Sequence, residues 1–215
     1  MKYKAILFDL DGTTLSTLED LYNSVNFALA KNNYPTHSMD AVRSFVGNGI
    51  RKLMERSCPD GTSVECVDKV HKDFTEHYKA HCNDKTRPYD GILDMLNTLK
   101  RNGVKLAVLS NKADYAVKDL CKIHFDGLFD VAQGEITGIP RKPSPEGVNI
   151  ILEKLGVQPD ECAYVGDSDV DVETARNSGL DCVAVDWGFR DRDNLLNAGA
   201  KIIVSTAEEL TNMLI

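Results

Sequence analysis

The sequence predicts an α/β protein with a doubly wound, mostly parallel β-sheet and a helical segment inserted near its beginning. The segment KAILFDLD starts with apolar residues and ends in acids followed by Gly12, which is typical of a buried strand that delivers polar groups at its carboxyl end. After Pro88, strand-like and helix-like patterns alternate. This alternation is the order of βαβ units with right-handed crossovers.

The alternation can be followed element by element. A helix through Ile92, Leu96 and Leu99 is predicted to end at Gly103, the strand VKLAVLS follows, and a further helix is expected from about Ala113. Later strands are predicted at residues 129–132, 162–165, 182–185 and 201–204, with helices that start near Pro145, Asp169, Arg192 and Thr206.

The inserted segment has a different pattern. From about Leu18 to Cys82 the periodicity is helical, and Leu21, Val25 and Leu29 share one face. We found no convincing strand pattern in this stretch, so it predicts a small helical domain. The predicted division is a core of residues 1–15 and 84–215, and a helical domain of residues 16–83.

Composition limits the function classes. The chain has 215 residues, 42% of them hydrophobic, which is enough for one sizeable core. The net charge of -8 argues against a nucleic-acid partner. Apolar runs are far shorter than the roughly 20 residues of a membrane span, and the first residues lack signal-peptide flanks. We expect a cytoplasmic protein without membrane or nucleic-acid partners, either a monomer or a homodimer, whose six scattered cysteines stay reduced.

Polar residues follow three of the predicted strands: Asp9 and Asp11 after the first, Ser110 and Asn111 after the second, and Asp167 after a later one. Ligands of doubly wound sheets bind beyond the carboxyl ends of the strands, so we expect these residues to share one crevice. Alternation along the strand sends Asp9 and Asp11 to the same side. Mg²⁺ prefers oxygen ligands, which Asp9 and Asp167 would supply.

These residue types indicate phosphoryl transfer. Asp9 would attack phosphorus, while Asp11 would protonate the leaving oxygen and later deprotonate the attacking water. Ser110 and Asn111, at an expected turn into a helix, would hold a phosphate oxygen. The structural alternatives are that the acids are solvated turn residues, and that Ser110 and Asn111 are ordinary helix caps.

A lysine and a further acid complete the candidate set. Lys142 precedes Ser144, a predicted N-cap, and Pro145, a predicted first helical residue, so its ammonium would lie where it can balance the phosphoryl group. Asp171, about one helical turn beyond Asp167, would bind a metal-bound water or anchor Lys142.

The ordered motifs FDLDGT, LSNK, RKPSP and VGDSDVD resemble the four motifs of the haloacid dehalogenase superfamily, and VGNGIRKLMERSCP and VDWGFRDRDNLLNAGA are similar to its phosphoglycolate phosphatase group. The resemblance covers nearly the whole chain and implies a Rossmann-like core with a helical cap. It implies Asp9 as nucleophile and Asp11 as acid and base. Mg²⁺ would be held by Asp9, Asp167 and the backbone carbonyl of Asp11. The implied phosphate contacts are Thr13, Ser110, Asn111 and Lys142.

The resemblance also implies that the helical domain selects the substrate. Gly47, Asn48 and Gly49 would expose backbone amides, and Arg51 would pair with a substrate carboxylate, unless it is only a surface charge. Thr14 and Ser16 depart from the family pattern at the entry to the cap. The histidines His77 and His81 have the spacing of a zinc pair, but a solvated helix face is the preferred interpretation.

The predicted function is therefore a magnesium-dependent phosphatase acting on a small phosphorylated metabolite, a phosphate monoester similar to phosphoglycolate. A dehalogenase would need neither Asp11 as an acid nor a metal. A pyrophosphatase or a sugar-phosphate phosphatase or mutase would share every core residue. A noncatalytic phosphate-binding regulatory protein would usually lack the nucleophile or a metal ligand, and this chain has both.

Overall fold

A computed structural model describes residues 2–215. The chain divides into two compact units. One is the core, made of the described residues up to Leu15 together with Pro88–Ile215; the other is a helical unit, Ser16–Arg87. The second boundary therefore lies at Arg87, slightly later than the predicted residue 83.

The core contains a six-stranded sheet of order β5-β4-β1-β6-β7-β8 in which every paired strand is parallel. This confirms the predicted doubly wound α/β class. β1 lies near the middle, between β4 and β6, so its carboxyl end is flanked by the ends of both neighbours. The strands are β1 Ala5–Phe8, β4 Lys105–Ala113, β5 Val131–Glu135, β6 Cys162–Gly166, β7 Asp181–Val185 and β8 Ile203–Val204. Two shorter strands, β2 Leu15–Ser16 and β3 Arg87–Pro88, pair with each other.

Helices cover both faces of the sheet, because successive side chains of a strand point to opposite sides. Ile6 and Phe8 of β1 belong to an apolar cluster with α5, α6 and α10, whereas Ala5 and Leu7 belong to a second cluster with α7 and α8. The core helices are α5 Ile92–Arg101, α6 Asp114–Phe125, α7 Glu146–Leu155, α8 Asp169–Ser178, α9 Arg192–Ala198 and α10 Ala207–Leu214.

Several predicted boundaries in the core were wrong; the strand predicted at 201–204, for example, is β8, Ile203–Val204. The strand predicted at 129–132 is β5, Val131–Glu135. β4 continues to Ala113, well past the predicted turn, and its pairing with β5 is irregular between Leu109 and Ala113. The helix expected to begin at Pro145 begins at Glu146, with Pro145 as its N-cap in place of Ser144.

The helical unit contains α1 Leu18–Lys31, α2 Met39–Phe45, α3 Gly49–Ser57 and α4 Val64–His81. Val25, Leu29, Phe74 and Tyr78 are buried on α1 and α4. Burial of such apolar faces is the main stabilising term, worth about 1.5–3 kcal/mol for each large side chain. Among the described residues, no helix has the length and apolar character needed to cross a membrane.

Asp20 joins the beginning of the helical unit to its end. Its side chain is in the first turn of α1 and only 1% of the residue is exposed. It accepts hydrogen bonds from the backbone N–H of Lys85 at 3.0 Å and of Thr86 at 2.8 Å, and from the Thr86 hydroxyl at 2.8 Å. A buried carboxylate that satisfies three donors is costly to remove, because the donors are then left unpaired.

Replacing Asp20 by Ala should lower the free energy of unfolding of the helical unit by on the order of 3 kcal/mol. Asp20→Asn, which keeps one carbonyl oxygen as an acceptor, should cost less. Urea unfolding followed by far-ultraviolet circular dichroism measures both. Glu19→Ala, an exposed acid in the same helical turn, is the matched control and should change stability by less than about 0.5 kcal/mol. Equal effects of Asp20→Ala and Glu19→Ala would contradict the assignment.

Candidate active site

The loop after β1 carries Asp9 and Asp11. The backbone N–H of Asp9 donates to Val165 O at 2.9 Å, which continues the pairing with β6. The backbone then turns sharply, with Gly12 at φ 87°, a left-handed conformation that favours glycine. The Asp9 carboxylate accepts the Leu10 N–H at 2.7 Å on Oδ1.

Lys142 is the buried cation of the site. Its ammonium lies 2.9 Å from Asp9 Oδ1 and 2.8 Å from Asp171 Oδ1, and its side chain is 3% exposed. Burial alone would lower the pKa of Lys142, but Asp171 and Asp9 raise it well above its usual value, so the ammonium stays charged. Burial is the main cause that raises the pKa of Asp9 to about 7, against the opposing effect of Lys142.

Asp171 anchors this lysine. It is fully buried, and its carboxylate also accepts hydrogen bonds from the Ser168 hydroxyl at 2.6 Å, the Ser168 N–H at 3.1 Å and the Tyr164 hydroxyl at 3.3 Å. With Lys142 added, both carboxylate oxygens are occupied by protein donors. We therefore interpret Asp171 as the anchor of Lys142, although it lies close enough to group with the other acids.

Asp167 lies in a cradle of backbone. Thr13 donates its hydroxyl to Asp167 Oδ1 at 2.8 Å, and the Phe189 N–H donates to Oδ2 at 2.7 Å. A Cβ atom at Gly12 would lie 2.4 Å, and one at Gly188 2.3 Å, from Asp167 Oδ2, so two loops approach this carboxylate as closely as glycine permits. Burial, with Asp171 and Asp9 adding, raises the pKa of Asp167 well above its usual value.

The predicted phosphate contacts have further partners in the structure. Ser110 and Asn111 lie within β4 and not at a helix start, so the expected helix-terminal anion site is wrong; the N-cap of α6 is Ala113. The Asn111 side chain donates to Lys142 O at 3.0 Å and accepts the Lys142 N–H at 2.9 Å, so it fixes the lysine's backbone. The Thr13 hydroxyl also has a protein partner, because it donates to the Asp167 carboxylate.

Sequence reasoning missed Lys112, the last residue of the LSNK motif. Its ammonium lies 2.9 Å from Asp11 Oδ1 and 3.2 Å from Oδ2, with the lysine side chain 2% exposed. The inclusion of Lys112 in a recognised motif was the signal that would have identified it. Trp187, which the sequence indicated only as a packing residue of the loop after a strand, donates its indole N–H to Thr13 O at 3.0 Å.

The donor set fits a divalent cation. The carboxylate oxygens of Asp9, Asp167 and Asp171 lie within 4.8 Å of one another. Because both oxygens of Asp171 already accept from protein donors, Asp9 and Asp167 are the carboxylates that would hold the ion. Oxygen donors at carboxylates are what Mg²⁺ prefers. Four carboxylates face two ammonium groups, which leaves an excess of two negative charges when all are ionised, and one divalent cation balances that excess. These groups are Asp9, Asp11, Asp167, Asp171, Lys112 and Lys142.

The predicted substrate-selecting residues belong to the helical unit. Asn48 is the N-cap of α3 and its side-chain oxygen accepts from Arg56 at 2.8 Å. Gly49 begins α3 in a left-handed conformation, φ 82°. Arg51 is paired within the same unit with Glu55, at 3.1 Å, and with Asp68. The structure thus gives Arg51 two carboxylate partners of its own.

Fold and site together define a hydrolase of the phosphoryl-transfer type: strand-end acids, a buried lysine and a site suited to a divalent cation. The model of the haloacid dehalogenase-like hydrolase family matches residues 6–185. Because this match covers most of the chain, the protein belongs to that family.

Individual relatives refine this assignment. A phosphoglycolate phosphatase of Mesorhizobium japonicum is 34% identical over 198 residues, covering 89% of this chain and 86% of the relative. An N-acetylmuramic acid 6-phosphate phosphatase of Pseudomonas aeruginosa is 29% identical over 216 residues, covering 100% of this chain and 96% of the relative. A crystal structure of a protein from Lactobacillus delbrueckii subsp. bulgaricus matches with a TM-score of 0.96 at 38% sequence identity. The match covers 100% of this chain and 99% of that protein chain. The chain is a phosphoric monoester hydrolase.

Mg²⁺ should raise the melting temperature, and the rise should grow between about pH 5 and pH 8. The raised pKa values of Asp9, about 7, and of Asp167 mean that the metal-free folded state keeps protons that the unfolded chain releases near its ordinary carboxyl pKa. The stability that these protonated groups contribute is therefore present at acid pH and lost as pH rises toward 7. At that pH both carboxyl groups ionise in the folded state, so a bound cation has the most negative charge to neutralise.

Thermal unfolding with and without Mg²⁺ at constant ionic strength measures this effect. Asp167→Asn should lose most of the Mg²⁺-induced rise, because it removes a negative oxygen from the group. Asp169→Asn, which changes a 60%-exposed acid two residues away, should keep it. The same Mg²⁺ response in both variants would contradict the assigned cation site.

Proposed function

We propose that this phosphatase is magnesium-dependent, acts through a phosphoaspartate on Asp9, and hydrolyses a small phosphate monoester similar to phosphoglycolate. The observation that carries the proposal is the ammonium of Lys142 at 2.9 Å from Asp9, with the Asp9, Asp167 and Asp171 oxygens within 4.8 Å of one another. A carboxylate can attack an anionic phosphate only where the surrounding charge is compensated; Lys142 supplies one positive charge and a bound divalent cation would supply the rest.

Asp9 would attack with Oδ2, because Oδ1 carries both the Leu10 N–H and the Lys142 ammonium. The bond from Oδ2 to phosphorus forms as the ester P–O bond breaks. Bound Mg²⁺ would supply positive charge that favours the ionised carboxylate and attracts phosphate oxygens. Lys142, held by Asp171 and by Asn111, would contact the transferring phosphoryl group from a fixed position.

Asp11 would supply the leaving-group proton. In the first step its carboxyl O–H bond breaks and the proton moves to the leaving ester oxygen. In the second step the ionised carboxylate takes a proton from the water that attacks the phosphoaspartate, which releases phosphate and regenerates Asp9. Asp11 is suited to exchange protons with a substrate, because its side chain is 14% exposed whereas those of Lys142 and Asp171 are at most 3% exposed.

Two observations bear on the substrate. The phosphoglycolate phosphatases among the relatives favour a small carboxylated phosphate ester, as does an arginine at position 51. The relative named for N-acetylmuramic acid 6-phosphate favours a sugar phosphate. We expect the enzyme to be cytoplasmic and to act as a monomer or a homodimer.

Asp9→Asn should reduce turnover by about a thousandfold or more, since the amide cannot form the phosphoenzyme. Phosphoglycolate, sugar phosphates and pyrophosphate would be assayed for released phosphate with and without Mg²⁺. The wild-type enzyme should require the cation. Asp169→Asn, the exposed neighbour in the GDSDVD segment, should retain activity. Undiminished turnover by Asp9→Asn would refute the nucleophile assignment, and activity without a divalent cation would refute the metal requirement.

Arg51→Ala should raise KM for phosphoglycolate by about tenfold, the value of one charge-assisted hydrogen bond, with little effect on uncarboxylated phosphates. A substrate carboxylate would compete with Glu55 and Asp68 for the guanidinium, so the loss should not be larger. Arg43→Ala, on α2, is the control and should leave KM unchanged for all substrates. A uniform rise in KM across the substrates would exclude carboxylate recognition by Arg51.

A further inference from the structure

The loops after β1, β6 and β7 are joined by hydrogen bonds around Asp167. The Thr13 hydroxyl donates to Asp167 Oδ1 at 2.8 Å, and the backbone N–H of Phe189 donates to Oδ2 at 2.7 Å. Trp187, two residues before Phe189, donates its indole N–H to Thr13 O at 3.0 Å. These bonds and the short stretch of backbone from Trp187 to Phe189 form a closed ring of four residues, which we call the Asp167 ring.

The Asp167 ring is shielded from water. Thr13 is 1% exposed and Phe189 is 8% exposed. A Cβ atom at Gly188 would lie 2.4 Å from Gly12 O, so the loops after β1 and β7 are in close contact inside the ring. The Thr13 carbonyl therefore has little access to a water that could replace the indole, and losing this donor would leave a buried acceptor unpaired.

Packing fixes the Trp187 side chain that closes the ring. Its ring centroid lies 6.4 Å from that of Tyr89, and both side chains pack, partly buried, against the apolar cluster on one face of the sheet. The backbone N–H of Tyr89 donates to Thr14 O at 3.3 Å, so Tyr89 is joined to the same loop as Thr13. An indole donor held in this way constrains the position of its acceptor.

The ring determines how the Asp167 carboxylate is presented to a cation. An ionised carboxylate has about four lone-pair positions on its two oxygens, and the donors from Thr13 and Phe189 use one on each oxygen. Rotation of the carboxylate would break both bonds. Groups that hydrogen-bond to a metal-ligating carboxylate orient it and thereby tune the affinity for the metal.

We propose that Trp187 is a positioning residue that fixes the Asp167 carboxylate for binding of the divalent cation. The inference rests on the proposed magnesium dependence of the enzyme. Trp187 acts through Thr13: the indole holds the Thr13 backbone, and the Thr13 hydroxyl is thereby directed at Asp167. The indole keeps its own proton and takes no part in bond making or breaking.

The apparent Kd of Mg²⁺ tests this role in the absence of substrate. It is obtained from the melting temperature as a function of Mg²⁺ concentration, at constant pH and ionic strength. Trp187→Phe keeps an aromatic ring and removes the donor. It should raise the apparent Kd by about tenfold, the low end of the effect of losing a group that orients a metal ligand.

A second replacement tests the N–H group alone. The sequence contains a single tryptophan, so incorporating benzothienylalanine in place of tryptophan changes only position 187. Sulfur takes the place of the indole N–H in this analogue, which keeps the size and packing of the side chain. The analogue protein should fold as the wild type does and show the same rise in apparent Kd.

The controls separate positioning from stability. Ile202 packs, also partly buried, against the same apolar cluster as Trp187. Ile202→Ala should lower the melting temperature without Mg²⁺ and leave the apparent Kd within about twofold. Thr13→Val removes the hydroxyl donor to Asp167. Combined with Trp187→Phe, it should raise the apparent Kd by less than the product of the two single effects, because both changes open one ring.

An unchanged apparent Kd in the benzothienylalanine protein would overturn the positioning role, and so would effects of Thr13→Val and Trp187→Phe that multiply. If Mg²⁺ does not raise the melting temperature of the wild-type protein, the proposed magnesium dependence fails as well. If the wild type binds Mg²⁺ and the proteins without the indole N–H bind it equally well, only the inference about Trp187 fails.

Discussion

The site depends on one buried ion pair network, in which the Lys142 ammonium lies between the carboxylates of Asp9 and Asp171. Carboxylates this close repel one another strongly in a low-dielectric interior, so the folded arrangement needs a cation held among them. Hydrogen bonds from other protein groups hold this network in place. Asp171 is saturated by Ser168, Tyr164 and the lysine itself, so it can act as a fixed anchor for the lysine beside Asp9.

A second constraint is the close approach of backbone to Asp167. Gly12 and Gly188 lie on loops distant in sequence, and side chains at either position would overlap the carboxylate. The Trp187 indole joins the two loops by its hydrogen bond to Thr13 O. The parallel sheet makes this meeting possible, because the β1, β6 and β7 ends lie side by side at one edge. Strand order therefore fixes which acids can share a cation.

Sequence reasoning predicted the fold class and the acids after β1 and β6, because apolar runs that end in carboxylates have few other structural interpretations. It placed Ser110 and Asn111 at a helix start and was wrong, since an irregular extension of β4 does not show in hydrophobic periodicity. The contacts of Thr13 with Asp167 and of Lys112 with Asp11 also could not be read from spacing. A lysine or threonine beside a strand end carries no local signal of burial; only the paired acid, far away in the chain, determines it.

The residues proposed for the reaction and those proposed for substrate selection belong to different units of the chain. Every residue assigned to bond making and breaking lies on the core, whereas the predicted substrate contacts Asn48, Gly49 and Arg51 lie on the helical unit. Relatives named for phosphoglycolate and for N-acetylmuramic acid 6-phosphate align with nearly the whole chain. A shared fold with different named substrates requires that selectivity come from side chains outside the common chemistry. Arg51 has two carboxylate partners, and in its proposed role it would exchange Glu55 and Asp68 for a better-placed carboxylate of the substrate. Selection at this position would therefore rest on geometry more than on net charge.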